Sequence, residues 1–176
     1  TSTVFFAPSL SGTLTLTSGQ ITLNRSVGID ATGLPGGITI SGNSNGDNTP
    51  DAGESRLFEI PAGVAVVLRG LHLTNGIADP ASNSATGEGG AIRNSGQLTL
   101  DLCSISNCRS RRGGAINSTG VLSVGRGTFQ QNSATFGGAI HSTDNGLLTV
   151  ADSTFLMNTA GDRGGALLEN DVDSPA

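Results

Sequence analysis

Residues 129–140 read FQQNSATFGGAI, and parts of this stretch recur along the chain. The tetrapeptide GGAI stands at 89–92, 113–116 and 137–140, and GGAL follows at 164–167. The first two steps between these copies are 24 residues, and the last is 27. A fixed period of this length is the sequence signature of a repeat architecture, in which each unit buries its apolar face against its neighbours.

Inside each repeat, short apolar segments alternate with polar residues. The segments LTL, LSV and LTV stand at 98–100, 122–124 and 148–150. Alternation over three to five residues predicts β-strands, and no segment shows helical periodicity. A divergent copy at 58–76 extends the pattern toward the N-terminus, and we align its Ile60, Val66 and Leu73 with the apolar positions of the later repeats.

Three short strands per repeat, separated by Gly, Ser and Asn corners, predict one coil of an all-β, right-handed parallel β-helix. The competing fold is an antiparallel sandwich, which requires hairpin turns and does not predict a repeat of this fidelity. We expect about five to six coils in a single domain over residues 1–176, less regular over 1–76 and regular over 89–170. Two stretches rich in Asn, Asp, Gly, Pro and Ser, 44–56 and 77–88, are predicted to be loop insertions.

The glycine pairs and the asparagines of the repeat have a structural interpretation. The pairs are predicted to form corners and to let coils stack closely, since Gly adopts positive φ without steric cost; they are Gly89, Gly90, Gly113, Gly114, Gly137, Gly138, Gly164 and Gly165. Asn132 and Asn158 end their strands, and Asn tolerates the left-handed region. We expect these two side chains to form a hydrogen-bonded ladder, which Cys108 interrupts.

Composition excludes several classes of function. The net charge of −5 argues against non-specific nucleic-acid binding, and no apolar run is long enough to span a membrane. Only 13% of the residues are charged, and the chain contains no Lys, Trp or Tyr. A low-charge surface rich in Ser, Thr and Asn favours an extracellular structural material.

The pairing of GGAI with FxxN resembles the repeat of the chlamydial polymorphic outer membrane proteins. The FxxN motif stands as FQQN at 129–132 and as FLMN at 155–158. Most of the chain is also similar to bacterial and archaeal extracellular β-helix proteins, through GTLTLTSGQITL at 12–23, RLFEI at 56–60 and LHLTNG at 71–76. This resemblance implies a β-helix at the cell surface, in a family that includes adhesins and autotransporter passengers.

Few residues indicate catalysis. β-Helix enzymes that act on polysaccharides need clustered carboxylates, and by the repeat offsets no column of this chain holds two. Asp101 aligns with Gly125 and Ala151, and Asp152 aligns with Leu102 and Arg126. We therefore predict a protein that is not an enzyme, with no catalytic residues and no cofactor.

Three groups of polar residues remain as weaker candidates. Asp47, Asp51 and Glu54 lie among Gly and Asn in the first insertion and are candidate calcium ligands, with a solvated loop as the alternative. A second group, at a predicted corner, is a candidate contact for an anionic glycan or a partner; it consists of Arg109, Arg111 and Arg112. The two cysteines, Cys103 and Cys108, are expected to be buried, and whether they are bonded to each other stays open.

The sequence predicts a non-enzymatic extracellular protein with a structural or adhesive role. No capping segment is recognisable at either end, so we expect the coils to stack on another copy, as in a filament, or to continue in a larger surface protein. The alternative is a glycan-binding or polysaccharide-active module of a secreted or autotransporter protein. The expected partners are therefore the chain itself, the rest of a larger protein, or surface glycans, and not nucleic acid.

Overall fold

The structure is a computed structural model that describes residues 2–45, 54–79, 81, 84–143 and 146–170. In these residues every strand pairing is parallel, and the helical structure is confined to the short 3-10 helix η1 (Ala85–Gly87). The strands, numbered along the chain, form three long sheets and one short one.

Each long sheet contains six strands in the described residues. Sheet A consists of β1 (Ser2–Phe5), β4 (Val27–Asp30), β7 (Ala65–Arg69), β10 (Gln97–Asp101), β13 (Val121–Gly125) and β17 (Leu148–Ala151). Sheet B consists of β2 (Thr13–Thr15), β5 (Ile38–Ser41), β8 (Leu71–Thr74), β11 (Ser104–Ser106), β14 (Thr128–Gln130) and β18 (Thr154–Leu156). Sheet C consists of β3 (Ile21–Thr22), β6 (Phe58–Ile60), β9 (Ile92–Asn94), β12 (Ile116–Ser118), β16 (Ile140–Thr143) and β20 (Leu167–Asn170). The short sheet pairs β15 (Ser133–Phe136) with β19 (Thr159–Arg163).

One strand from each long sheet makes one coil, so the described residues form six coils of a parallel β-helix. Successive coils are one strand spacing apart, about 4.7–4.9 Å. Inward-facing side chains therefore stack in columns, of which Leu73, Ile105, Phe129 and Phe155 are one. In this column the rings of Phe129 and Phe155 stack with their centroids 4.9 Å apart. The predicted fold class and number of strands per coil are confirmed.

The strand register confirms most of the predicted alignment and corrects one position. Val66 pairs with Leu98, and Leu73 pairs with Ile105, as expected. Ile60, however, pairs with Asn94, and it is Phe58 that pairs with Ile92. Phe58 and Ile60 both point inward and are both buried. The pattern could not separate them because side chains two residues apart in a strand share a face.

The glycine pairs make the corner that precedes sheet C, as predicted. The first glycine of each pair is left-handed, with φ between +63° and +67° at Gly89, Gly113, Gly137 and Gly164. At the second glycine, a Cβ atom would overlap the carbonyl oxygen of the equivalent glycine one coil further on: that of Gly138, in the case of Gly114. The repeat therefore needs glycine twice, once for backbone conformation and once for space.

Alanine follows the glycines because its position is enclosed by the coils on both sides. Ala91, Ala115 and Ala139 are fully buried. The Ala115 carbonyl accepts hydrogen bonds from the amides of both Ala91 and Ile92, at 2.8 and 2.9 Å, and Ala139 repeats this pattern for the next coil. These hydrogen bonds satisfy the buried backbone amides at the corner where the chain enters sheet C.

The predicted asparagine ladder is present, at the corner that follows sheet B. Asn132 Nδ2 donates to Asn158 Oδ1 at 2.9 Å and to the Ile105 carbonyl at 3.0 Å, while Asn132 Oδ1 accepts the Cys108 amide at 3.1 Å. The left-handed residue is not the asparagine but the one before it, Gln131 or Met157, with φ of 55° and 51°. The predicted corner is therefore correct, but the asparagine stabilises it through hydrogen bonds of its side-chain amide and not through a left-handed backbone conformation.

The additional residues of the last repeat are partly visible as a β-bulge. Ala134 pairs with Ala160, but Phe136 pairs with Arg163, so β19 contains one more residue than β15 over this step. The bulge lies in the segment TAGDR, where the sequence places one extra residue.

The close stacking at the second glycine predicts that alanine has very different effects on the free energy of unfolding at two equivalent positions. Gly114→Ala should lower the free energy of unfolding by several kcal/mol or prevent folding, because the new Cβ overlaps backbone of the next coil. Gly165→Ala should change it by less than about 0.5 kcal/mol, because no atom lies within 4 Å of the added Cβ. Urea denaturation of dilute protein measures both, and equal effects would contradict the stacking argument.

The ladder predicts that Cys108→Asn stabilises the protein. Cys108 now accepts the Gly76 amide through sulfur at 3.4 Å, and Asn at this position would extend the hydrogen bonds that Asn132 makes. We expect a gain of about 1 kcal/mol for Cys108→Asn and a loss of about 2–4 kcal/mol for Asn132→Ala, which leaves buried backbone groups unpaired. Thermal unfolding followed by circular dichroism measures both, with the outer-face substitution Ser123→Ala as the control.

Candidate functional site

Described residues of the two loop insertions line one cleft beside sheet C. Asn43 and Gly76, the residues before the two insertions, follow the register pair Ser41 and Thr74 by the same two residues. The insertions therefore leave the β-helix at the same corner in successive coils. The cleft between them has a volume of about 360 Å³ and is lined by Gln20, Glu54, Ser55, Arg56, Glu59, Ile77, Ala78, Asp79, Ala85 and Thr86.

Arg56 is the buried cation of this cleft, with only 7% of its surface exposed. Both hydrogen bonds of its guanidinium come from Nη2, which donates to the Ala85 carbonyl at 2.7 Å and to the Thr86 carbonyl at 3.4 Å. Its Nε is buried without a hydrogen-bond partner. Burial lowers the pKa of Arg56 below its ordinary value, because a desolvated guanidinium is less stable in its charged form. Arg56 therefore holds the second insertion in place and keeps unused hydrogen-bonding capacity.

A chain of ion pairs runs along the outer side of sheet C next to the cleft. Arg93 Nη1 lies 3.0 Å from Glu59 Oε1, and Arg93 Nε lies 3.0 Å from Glu88 Oε2. Glu88 Oε1 is in turn 3.6 Å from Arg112 Nη1, and Gln20 donates its amide to Glu59. These partly buried pairs fix Glu59 at one wall of the cleft and Glu88 at the end of the second insertion.

The calcium candidates are only partly within the described residues. Glu54 lines the cleft, and its Oε1 accepts the Ser44 amide at 2.9 Å. Asp47 and Asp51 lie outside the described residues. In the part of the chain that the structure describes, no group of three or more His, Cys, Asp or Glu side chains is arranged to hold a metal ion. Calcium binding at Asp47, Asp51 and Glu54 stays a prediction.

The three arginines of the CRSRR segment lie on the corner between sheets B and C but have different environments. Arg109 is exposed, whereas Arg111 has its guanidinium carbon 5.3 Å from the centre of the Phe136 ring. Arg112 pairs with Glu88. Arg111 and Arg112 are thus engaged within the chain, whereas the Arg109 side chain is exposed, and a contact between these arginines and a glycan or partner stays a prediction.

One column of sheet A does contain two carboxylates, which corrects the sequence-based interpretation. Asp30, Arg69 and Asp101 pair in register across β4, β7 and β10. Arg126 binds Asp101 through both carboxylate oxygens at 2.7 Å, and hydrogen bonds from Thr32 lower the pKa of Asp30. The repeat offsets missed this column because Asp30 belongs to the irregular coils, where no motif marks the register.

Both cysteines are buried and free. Burial raises the pKa of the Cys103 thiol, and it raises that of Cys108 from 9.0 to about 12. Each side chain is therefore a neutral thiol inside the β-helix, and neither has the exposed, lowered-pKa environment of a reactive cysteine.

The corner motif is matched by a known family. The model of the Chlamydia polymorphic membrane protein repeat matches residues 127–143, which span β14, β15 and β16. Comparisons with curated proteins and with solved structures returned no match. No helix in the described residues has the length and apolar character of a membrane span. The predicted resemblance to the polymorphic membrane protein repeat is confirmed over this segment, and it is consistent with a location at the cell surface.

The buried thiols predict a loss of stability in alkaline solution. In the unfolded chain Cys108 ionises near pH 9.0, whereas in the folded chain it stays protonated to about pH 12. Its stabilising contribution is therefore complete below pH 9.0 and decreases as the pH rises toward 12, by about 1.4 kcal/mol per pH unit.

Urea denaturation between pH 8 and pH 11 measures this slope. The chain has no Lys or Tyr, so few other groups titrate in this range. Cys108→Ala should reduce the slope by about 1.4 kcal/mol per pH unit, and Cys103, whose thiol pKa is also raised by burial, contributes to the slope that remains. An unchanged slope in Cys108→Ala would contradict the assignment.

Proposed function

We propose that this chain is a non-enzymatic structural or adhesive β-helix of the cell surface, and that it assembles end to end with further copies of itself. The observation that supports assembly is that the same three apolar columns reach both end coils. Val4, Leu14 and Ile21 begin the columns in the first coil, and Val150, Phe155 and Leu167 end them in the sixth.

The end coils are open where the inner coils are closed. Val4, Leu14, Ile21 and Leu167 are 49%, 45%, 40% and 40% exposed, whereas their column neighbours in the middle of the stack are almost fully buried. Gly165 has no atom within 4 Å of the position that a Cβ would take, although the same position in earlier coils is filled by backbone of the next coil. The described part of the sixth coil therefore has room for one more coil.

We expect a second copy to stack on this coil in one orientation. A first coil placed on a sixth coil continues every sheet in parallel and sets Val4, Leu14 and Ile21 over apolar residues of the same columns. Residues 2–26 carry one charge, that of Arg25, whereas residues 147–170 carry Asp152, Asp162, Glu169 and Arg163. The charges thus favour head-to-tail over head-to-head contact, and a head-to-tail contact repeats without closing.

The non-enzymatic part of the proposal is supported by the state of the carboxylates. Glu59 and Glu88 are ion-paired with arginines, and Asp101 is bound by Arg126. Asp30 has a lowered pKa, whereas a general acid requires a raised one. Acid–base hydrolysis of a polysaccharide by these four carboxylates would need at least one of them released.

Glycan binding is the second candidate function, and the cleft between the insertions favours it. The cleft is of small-molecule size, at about 360 Å³ against the usual range of about 300–1,000 Å³. It combines carboxylate, guanidinium and hydroxyl groups with a larger apolar surface, a mixture that suits sugar hydroxyls and ring faces. Adhesion through this cleft is compatible with assembly of the stack.

Assembly is tested by analytical ultracentrifugation and electron microscopy of the purified chain over a range of concentrations. We expect filaments one β-helix wide, and we expect Gly165→Ala and Leu14→Asp to abolish them at opposite ends of the molecule. Val121→Asp, which changes an exposed apolar residue on the side of the stack, should leave them intact. Monomers at every concentration would overturn the assembly proposal.

A further inference from the structure

We propose that the cleft between the two insertions binds a carboxylated sugar residue, with its carboxylate held by Arg56 and its hydroxyl groups held by Asp79. This inference rests on the second candidate function, glycan binding, and specifies its site and ligand class. Its central residue is Arg56, which no repeat motif of the sequence marks.

The buried guanidinium of Arg56 has no carboxylate within ion-pair distance among the described residues, and only the more distant charges of Glu59 and Glu88 favour its charged form. It takes part in none of the ion pairs formed among the described residues, which instead use Arg69, Arg93, Arg112, Arg126 and Arg163. Its two hydrogen bonds go to neutral carbonyl groups, and its Nε is unpaired. A desolvated cation in this state is costly, and a ligand carboxylate bound to the part of Arg56 that lines the cleft would offset the cost through a charge-assisted hydrogen bond.

The carboxylates that line the cleft favour hydrogen-bond donors of a ligand, whereas Arg56 favours an anionic group. Glu54, Glu59 and Asp79 all line the cleft, and Glu59 is already bound by Arg93. The carboxylate of Glu54 accepts the Ser44 amide, and that of Asp79 accepts the Ala81 amide through one oxygen. Carboxylates accept hydrogen bonds from sugar hydroxyls and repel multiply charged anions. The ligand that satisfies both parts of the cleft has one negative charge and several hydroxyl donors.

The floor and volume of the cleft agree with a sugar ring. Ile77 and Ala78 contribute apolar surface to the cleft, and a cleft of about 360 Å³ has room for a compact ligand. Phosphate or sulfate alone would pair with Arg56 but leave the carboxylates and the apolar floor without contacts. A uronic acid residue of an acidic polysaccharide has the required combination of groups.

The experiment is a titration of the folded chain with three probes, followed by nuclear magnetic resonance of the Gln20 side-chain amide and the cleft backbone amides. The probes are glucuronate, glucose, which has the ring without the carboxylate, and acetate, which has the carboxylate without the ring. We expect saturable shifts with glucuronate and binding at least about tenfold weaker with the other two.

Substituted variants identify the side chains that bind glucuronate. Asp79→Asn, at an exposed position, should weaken glucuronate binding about fivefold, and Arg56→Gln should abolish it. Arg69→Gln, whose side chain is half exposed on sheet A, is the matched control and should bind as the unchanged chain does. Because Arg56 also holds the second insertion, circular dichroism of Arg56→Gln must show an unchanged fold; if it does not, Asp79→Asn decides.

The outcomes separate this inference from the function on which it rests. Equal binding of glucose and glucuronate would overturn the role of Arg56 and leave glycan binding standing. Acetate binding as tight as glucuronate would overturn the sugar site. No shift with glucuronate or glucose, at the cleft or elsewhere, would overturn both proposals.

Discussion

The structure depends on the close approach of backbone between successive coils at the second glycine of each GGA corner. Parallel strands in a β-helix are one hydrogen-bond spacing apart, so the corners must be as thin as the strands. At Gly90, Gly114 and Gly138 the carbonyl of the next coil occupies the space of a side chain. This constraint explains the fidelity of the motif, since any other residue would separate the coils and break the sheets on either side.

The remaining corners satisfy the same constraint by other means. Between sheets A and B the chain turns through left-handed residues that include Leu102, Arg126 and Asp152, and these have no common chemistry. After sheet B, Asn132 and Asn158 replace the backbone hydrogen bonds that the turn cannot make. The residue types that a corner accepts are therefore restricted where a side chain would meet the backbone of the next coil. Many residue types are accepted where the side chain points to solvent.

The insertions show how such a scaffold acquires a site. A β-helix coil tolerates extra residues only at corners, because a longer strand would lose its register with both neighbours. Two insertions at the same corner of successive coils are necessarily adjacent, and the space between them becomes a cleft. Arg56 then connects the two, since it belongs to the end of the first insertion and binds carbonyl groups of the second.

The sequence by itself determined the fold class, the strands per coil, the glycine corners and the asparagine ladder. These features repeat, so the copies of GGAI can be aligned with one another in the sequence. That alignment predicts which residues of neighbouring coils pair. The sequence did not determine which of Phe58 and Ile60 pairs with Ile92. It also did not determine the Asp30–Arg69–Asp101 column or the cleft around Arg56. In the irregular coils the inward positions are two residues apart and chemically alike, so only the hydrogen-bonded register of the folded chain distinguishes them. The cleft depends on which residues of two non-repeating insertions come together, and that is decided by the tertiary structure, because a guanidinium and a carbonyl 29 residues apart in sequence meet only when the coils are stacked.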